Sequence, residues 1–193
     1  MRNFFLITFF ILAFSVFFLS GCFGNDMSEP KAEKTDEINN ENDTDDQSDA
    51  GVFEGDLLKS FYLEDNSGNS INSSDLAGKA TILNFWTSWS LESENVNELI
   101  SDCYKMFEDT IHIVSVNVTA VEGHNLEYVI KYIRNMAYEF PVYFDLEGDV
   151  AKKYLIRSFP TTYLIDEEGY IAKIYIGEIN EKDFVNDIKD LVK

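Results

Sequence analysis

Two continuous apolar runs constrain the fold of this chain more than any other feature. The first reads ATILNFW over residues 80–86, and the second reads IHIVSVNV over residues 111–118. Short apolar runs that are rich in β-branched and aromatic residues are typical of buried strands. Between them, apolar residues recur every three or four positions, which is the period of an amphipathic helix. The sequence therefore predicts two buried strands with a helix between them.

The rest of the chain continues this alternation of strands and helices. Two turn sequences, NSGN and EEG, each separate a pair of predicted strands. The order of elements is β-α-β-α-β-β-α, which predicts an α/β fold with a central mixed β-sheet flanked by helices on both faces. The further elements are two short strands in 59–72, a capped helical turn in 73–79, a helix in 125–140, a short strand in 141–145, a helical turn in 151–156, a hairpin in 161–176 and a closing helix in 181–193.

Each of the three long predicted helices carries an apolar face, which we expect to pack on the sheet. The residues on these faces are Val96, Leu99, Ile100, Cys103, Met106 and Phe107 on the first helix, Leu126, Val129, Ile130, Ile133 and Met136 on the second, and Phe184, Ile188 and Leu191 on the last.

The amino terminus has the pattern of a segment that is not part of the fold. Arg2 precedes an apolar run over residues 4–19, which indicates a secretion signal, with a plain transmembrane anchor as the alternative. The run ends in LSGC, which resembles the lipobox of bacterial lipoproteins, where cleavage precedes a cysteine that then carries lipid. This resemblance implies a signal peptide over residues 1–21 and lipidation of Cys22. Lipid on Cys22 would hold the mature protein at the extracytoplasmic face of a bacterial cell membrane.

An acidic stretch over residues 22–54 separates this signal from the folded part. Apolar side chains are too sparse there to repay the entropy of ordering, which predicts a disordered tether and a domain over residues 55–193. The formal net charge of the whole chain is −20. That charge argues against nucleic acid as a partner, because phosphate backbones are bound by clustered Lys and Arg. The carboxylates of the tether do not have the spacing of an EF-hand calcium loop.

Cysteine usage limits the redox chemistry that the chain can perform. The two cysteines are Cys22 and Cys103. If lipid occupies Cys22, Cys103 is left as one free thiol, and no disulfide can form within the chain. Cys103 lies on the apolar face of the first long helix, which favours a place in the core. No Cys/His cluster suggests a metal and the haem signature C-x-x-C-H is absent, so we predict neither a metal nor a cofactor.

Four segments of the folded part resemble the extracytoplasmic thioredoxin-fold proteins of the TlpA/ResA type. These are membrane-tethered thiol-disulfide oxidoreductases within the AhpC/TSA-redoxin group. The segments are FYLEDNSGNSINSSDLAGKATILNFWTSW, VSVNV, FPVYFD and FPTTYLIDEEGYIAKIYIGEI. They occur in the order and at about the spacing of the family, and they cover nearly the whole domain. The resemblance implies a thioredoxin-like fold.

The reactive motif of this family is altered here. Family members carry W-C-x-x-C where this chain reads Trp89-Ser90-Leu91-Glu92-Ser93. Serine replaces both cysteines, and Glu92 takes the place of the usual proline. The changes between the two serines favour natural loss over an engineered pair.

The resemblance also implies a binding groove beside the motif. Pro160 matches a cis proline that faces the motif in the family and lets the backbone of the preceding residue pair with a bound peptide. The implied groove would take an extended polypeptide or a protein partner, and its lining residues are Trp89, Ser90, Ser93, Phe159 and Pro160.

The chemistry of serine determines the predicted function. Thiol–disulfide exchange needs a thiolate, whereas a serine hydroxyl stays protonated at neutral pH. We therefore predict a redox-inactive, membrane-anchored module that binds or scaffolds other proteins, chaperone-like in action and without catalytic residues. Two alternatives stay open: an oxidoreductase that uses an exposed Cys103, and a serine hydrolase that has a base beside Ser90. The candidate base is His124, in a loop after the second buried strand, since His112 lies within that strand.

Three further side chains near the motif have structural interpretations. Ser90 can cap the helix that follows, and Glu92 and Glu94 complement the positive end of its dipole. Glu122 lies in the loop after the second buried strand, where the family often places an acidic residue that tunes the thiols. Because this chain has no thiols there, we expect Glu122 to be a solvated loop residue.

Overall fold

The computed structural model describes residues 50–193. The predicted signal peptide over residues 1–21, the lipidation of Cys22 and the tether as far as residue 49 lie outside the described residues. Within residues 50–193, no helix combines the length and the hydropathy that crossing a membrane requires.

Nine strands and four α-helices make up the described chain. The strands are β1 (Ala50–Gly51), β2 (Leu57–Leu58), β3 (Tyr62–Asp65), β4 (Ser70–Asn72), β5 (Ala80–Trp86), β6 (Ile111–Asn117), β7 (Val142–Phe144), β8 (Thr161–Ile165) and β9 (Ile171–Ile176). The helices are α1 (Leu91–Phe107), α2 (Leu126–Met136), α3 (Asp149–Lys153) and α4 (Glu181–Leu191). Short 3₁₀ turns precede β5, follow α1 and follow β6.

Seven of these strands form one mixed sheet in the order β4-β3-β7-β6-β5-β8-β9. Strands β5, β6 and β7 run parallel, and β3, β4, β8 and β9 pair antiparallel with their neighbours. Strand β5 lies between β6 and β8, and all seven of its residues are buried. The prediction of an α/β fold with a mixed sheet built on two buried strands is confirmed.

The sheet separates two apolar clusters because successive side chains of a strand point to opposite faces. Leu83 and Phe85 of β5 enter one cluster, whereas Ile82 and Trp86 enter the other. The cluster on the Trp86 side receives the three long helices α1, α2 and α4. The opposite cluster is closed by the short helix α3, the turn before β5 and the first described residues. Helices therefore lie on both faces, but the long ones share a single face.

One residue of the predicted apolar faces lies elsewhere. Met106 of α1 is 55% exposed, so its place on the buried face was wrong. Val96, Ile100, Cys103 and Phe107 lie along one narrow stripe of the helix, and all four pack in the apolar cluster on the sheet. Met106 lies beyond the edge of that stripe, so its side chain faces solvent.

The last residues assigned to the tether make contacts with the domain. Strand β1 pairs with β2, Val52 is buried, and Glu54 accepts a hydrogen bond from the Ile174 backbone N–H at 3.0 Å. The Gly55 N–H donates to the Ile171 carbonyl at 2.8 Å. The packed part of the chain thus begins by residue 50 rather than at residue 55, because Val52 supplies an apolar anchor within an otherwise polar stretch.

Candidate functional site

The candidate site lies where β5 ends and α1 begins. Ser90 is the residue before α1, and its Oγ accepts a hydrogen bond from the Ser93 backbone N–H at 3.1 Å. This contact is the helix cap predicted from the sequence. The same hydroxyl lies 3.2 Å from the Phe159 carbonyl oxygen and 3.2 Å from Glu92 Oε2, and it can donate to one of them at a time. Ser90 thereby ties the head of α1 to the loop before β8.

That loop contains the cis peptide bond between Phe159 and Pro160. The ring of Phe159 meets the Trp89 ring edge to face, with 6.0 Å between centroids. Trp89 is 59% exposed, so its indole forms an apolar wall at the surface. The structure therefore brings Trp89, Ser90, Phe159 and Pro160 together, as the resemblance implied.

Ser93 occupies a different place from the one predicted. It is fully buried on the inner side of α1, so it lies beneath the groove and does not line it. Its Oγ makes no hydrogen bond within residues 50–193. Two other buried polar atoms close to it in the chain, Trp86 Nε1 and Thr87 Oγ1, also make none within this range. We call Trp86, Thr87 and Ser93 the interior layer of the site.

Glu122 is not the solvated loop residue that the sequence suggested. It is only 3% exposed, and its carboxylate accepts from the Ser88 N–H at 2.7 Å and from the Ser88 hydroxyl at 2.6 Å. The side-chain amide of Asn117, at the end of β6, donates to it as well. In the same loop, the Val121 carbonyl accepts from Trp89 Nε1 at 3.1 Å. Glu122 therefore fixes the turn 88–90, which we call the entry turn, to the end of β6.

Sequence reasoning missed this role because the partners of Glu122 are distant in the chain. Ser88 and Glu122 are separated by 34 positions, and no local period links them. The available signal was topological. Strands β5 and β6 are parallel neighbours, so the loops after them meet at one edge of the sheet, and a carboxylate in one loop can reach N–H groups in the other.

Cys103 is part of the core, as predicted. Its side chain has no exposed surface and packs in the apolar cluster that α1 shares with α4. Burial raises the pKa of the Cys103 thiol to about 12, and the carboxylates of Asp102 and Glu181 add to this effect. A thiol in this environment stays protonated at neutral pH, so the exposed thiol that an oxidoreductase through Cys103 requires is not present.

Within residues 50–193, the hydroxyl of Ser90 has no histidine among its hydrogen-bond partners. Those partners are a carbonyl, a carboxylate and a backbone N–H. The His124 ring is exposed and stacks on Tyr128, with 4.1 Å between centroids. His112 is half-buried in β6, and burial together with the nearby Lys79 lowers its pKa. A serine hydrolase needs a base that accepts the serine proton, and neither histidine makes that contact.

In residues 50–193, no group of three or more His, Cys, Asp or Glu side chains is placed to hold a metal ion.

Comparison with known proteins identifies the family. The model of the AhpC/TSA family matches residues 55–174, which is more than half of the chain. The chain belongs to the AhpC/TSA family.

Individual relatives of this AhpC/TSA family member agree with that assignment. The chain is similar to the thiol-disulfide oxidoreductase ResA of Bacillus subtilis, with 33% identity over 143 residues that cover 74% of this chain and 77% of ResA. Among solved structures, StoA from Bacillus subtilis gives a TM-score of 0.59 at 29% identity, covering 66% of this chain and 95% of StoA. The pneumococcal exposed lipoprotein thioredoxin Etrx1 from Streptococcus pneumoniae gives a TM-score of 0.61 at 26% identity, covering 69% of this chain and all of Etrx1. This AhpC/TSA family member therefore has a thioredoxin-like fold and thiol-disulfide oxidoreductases among its relatives.

Proposed function

We propose that this protein is a redox-inactive member of its family that binds polypeptide segments at the extracytoplasmic face of a bacterial membrane. One observation carries the proposal. Hydroxyls stand at both positions of the reactive motif, whereas the Trp89–Phe159 wall and the cis Pro160 beside them are intact. The groove thus keeps the parts that hold a chain and lacks the parts that exchange electrons.

The absence of dithiol chemistry follows from the difference in acidity between a cysteine thiol and a serine hydroxyl. The head of a helix lowers the pKa of a cysteine thiol into the range of roughly 3.5–7.5, so a thiolate forms there at neutral pH. A serine hydroxyl gives no comparable anion and forms no stable bond with sulfur. Cys103 does not compensate, because it lies buried on α1, ten positions beyond Ser93 and roughly 15 Å along the axis.

Polypeptide binding is supported by the exposed surface at the entry turn. Trp89 and Leu91 are exposed large apolar side chains on either side of Ser90. Glu122 and the Val121 carbonyl hold Trp89 and its neighbour Ser88 in place without covering the indole. A rigid aromatic side chain that is exposed and fixed from behind is the kind of residue that dominates binding energy at protein interfaces.

The location at a membrane is supported by the amino-terminal sequence. The apolar run and LSGC ending of residues 4–22 have the features of a lipoprotein signal. Etrx1, which has the same fold, is described as an exposed lipoprotein.

Two experiments test the location at a membrane: treatment with globomycin, which blocks lipoprotein signal cleavage, and a Cys22→Ser variant. The unprocessed precursor should accumulate in both cases, and normal processing of Cys22→Ser would exclude lipidation.

Insulin reduction by dithiothreitol tests the absence of redox activity. The full chain should give no turbidity faster than the buffer control, and a Cys103→Ala variant should behave identically. Turnover clearly above buffer in both proteins would contradict the proposal.

A fluorescein-labelled peptide tests binding. The probe QQTLFVTQQ has an apolar centre and no charged side chain, and its fluorescence anisotropy should rise with the full chain in detergent. A Trp89→Ala variant should bind the probe roughly tenfold more weakly, because it loses the exposed aromatic wall. Met106→Ala is the matched control, since Met106 is similarly exposed on the far half of α1. Equal binding by Trp89→Ala and the wild type would show that the groove is not the site.

A further inference from the structure

We propose that the polypeptide held at the Trp89–Phe159 wall is one whose apolar anchor is followed by lysine or arginine residues, which lie in an acidic groove along α1. This inference rests on the proposed function, because it specifies the partner of the same site. It depends on three features: the composition of the groove, its connection to the cis-proline loop, and the charge of the rest of the chain.

The acidic groove is a surface depression of about 370 Å³ between α1 and the segment that leads into α4. Val96, Leu99 and Ile179 are its apolar lining residues, Asn95 is a neutral polar one, and no lysine or arginine among residues 50–193 lines it. None of the ion pairs found in residues 50–193 involves its carboxylates. The carboxylates that line the groove are those of Glu98, Asp102, Glu178 and Glu181.

The segment that carries Glu178 into the acidic groove is hydrogen-bonded to the cis-proline loop. The Gly177 N–H donates to the Pro160 carbonyl at 2.9 Å, and Glu178 is the next residue. The groove follows α1 from Asn95 to Asp102, a distance of roughly 10 Å at 1.5 Å per residue. An extended chain covers that distance with roughly three residues. A polypeptide that leaves the Trp89–Phe159 wall in this direction would place two or three side chains among the carboxylates.

Lysine and arginine match this combination of lining residues. Their aliphatic stems can lie on apolar side chains such as Leu99 and Ile179 while their charged ends reach the carboxylates. An acidic or neutral segment would leave four like charges close together without compensation. The acidic groove therefore selects polypeptides by their charge, whereas the Trp89–Phe159 wall selects them by their apolar surface area.

Charge also excludes two occupants that the molecule itself could supply. Residues 22–49 carry many more carboxylates than lysines, so the chain's own amino-terminal segment is repelled from the acidic groove. A second copy has the same formal net charge of −20 and would be repelled by it as well. The structure thus favours a basic polypeptide from another protein.

Peptide binding by fluorescence anisotropy tests this inference, with KKTLFVTKK, QQTLFVTQQ and EETLFVTEE as labelled probes and the full chain in detergent. At low ionic strength the lysine probe should bind about tenfold more tightly than the glutamine probe, and the glutamate probe more weakly than both. The preference should shrink in about 0.5 M salt, where screening is strong.

Two matched variants separate the acidic groove from the overall charge. The groove variant carries Glu98→Gln, Asp102→Asn, Glu178→Gln and Glu181→Gln, and it should lose most of the lysine preference while binding the glutamine probe as before. The control variant removes four carboxylates elsewhere, through Asp109→Asn, Glu139→Gln, Glu167→Gln and Glu168→Gln, and should keep the preference. Both retain the whole acidic tether.

The outcomes distinguish this inference from the proposed function. If the wild type binds the glutamine and lysine probes equally, the charge selection is refuted while polypeptide binding stands. The same holds if both variants lose the preference equally, since net charge then explains it. If no probe binds, both proposals fail.

Discussion

The entry turn and the interior layer differ in whether their polar groups make hydrogen bonds. In the entry turn, Ser88 bonds to Glu122, Trp89 bonds to the Val121 carbonyl, and Ser90 caps α1. In the interior layer, Trp86 Nε1, Thr87 Oγ1 and Ser93 Oγ make no hydrogen bond within residues 50–193. The shape of the groove therefore depends on oxygen and nitrogen contacts that need no sulfur. In the interior layer, a thiol at position 93 would fit as a small apolar group, whereas the hydroxyl there has no partner within residues 50–193.

The largest effect should come from placing a cysteine at both serine positions of the motif. If the entry turn has kept its geometry, Ser90→Cys with Ser93→Cys places a thiol at the head of α1 and a second thiol beneath it. Insulin reduction by this double variant should exceed the wild-type rate at least about tenfold, because a thiolate can form at the helix terminus. Each single variant is the control and should remain near the buffer rate. A double variant as inactive as the single variants would mean that the geometry of the site does not support dithiol exchange.

Removing the carboxylate that fixes the entry turn should have the next largest effect. Glu122→Ala leaves the Ser88 N–H and the Asn117 amide without their acceptor in a buried place, which should lower the free energy of unfolding by about 3 kcal/mol. Urea denaturation measures the loss. Glu127→Ala, an exposed carboxylate of α2, is the control and should change stability by less than about 0.5 kcal/mol. Similar values for the two variants would show that the entry turn does not depend on Glu122.

The two serines should respond to alanine with opposite signs. Ser90→Ala removes the cap of α1 and its bond to the Phe159 carbonyl, so the free energy of unfolding should fall by about 1.5 kcal/mol. Ser90→Thr keeps a capping hydroxyl and should recover part of the loss. A neutral Ser90→Ala would indicate that the cap contributes little beside the packing of α1.

Ser93→Ala should stabilise the protein by about 1 kcal/mol, because it removes a buried hydroxyl that has no partner within residues 50–193. Ser93→Cys should give a gain of the same sign. Both changes are measured by urea denaturation, with reducing agent for the cysteine variant. Destabilisation by Ser93→Ala would show that the Ser93 hydroxyl contributes to stability, so that the interior layer does not differ from the entry turn in this respect.

The smallest effect concerns pH, which must be held constant when the stabilities of the two regions are compared by urea denaturation. The pKa of His112 in the folded protein lies below its ordinary value of 6.5, chiefly through burial. The unfolded chain therefore binds a proton more readily, and stability that is present above pH 6.5 is lost as the pH falls below it. Unfolding free energies of His112→Gln should vary less between pH 7 and pH 5 than those of the wild type. An unchanged pH profile would show that other groups dominate this range.

The fold was predictable because its strongest signals are local. The continuous runs that became β5 and β6, and the period of α1, are visible in short windows of sequence. The positions of Trp89, Ser90 and Pro160 followed from the family motif.

What escaped prediction depends on tertiary neighbours. Glu122 is buried because the loops after two parallel strands meet, and Ser93 is buried because it lies on the same side of α1 as the residues that pack on the sheet. Met106 satisfies a helical period yet faces solvent, since the stripe through Val96, Ile100, Cys103 and Phe107 already fills the interface.

Because the packed part of the chain begins by residue 50, the point at which the amino terminus is truncated affects the folded protein. A version that begins at residue 55, where the composition changes, would delete Val52 from the core and the Glu54 acceptor from the outer edge of β9. The apolar cleft that Val52 shares with Tyr163 and Ile174 would open to water, and the exposed strand edge would be free to recruit other chains. Shortened proteins that begin at residue 50 or earlier should stay monodisperse where those from residue 55 aggregate.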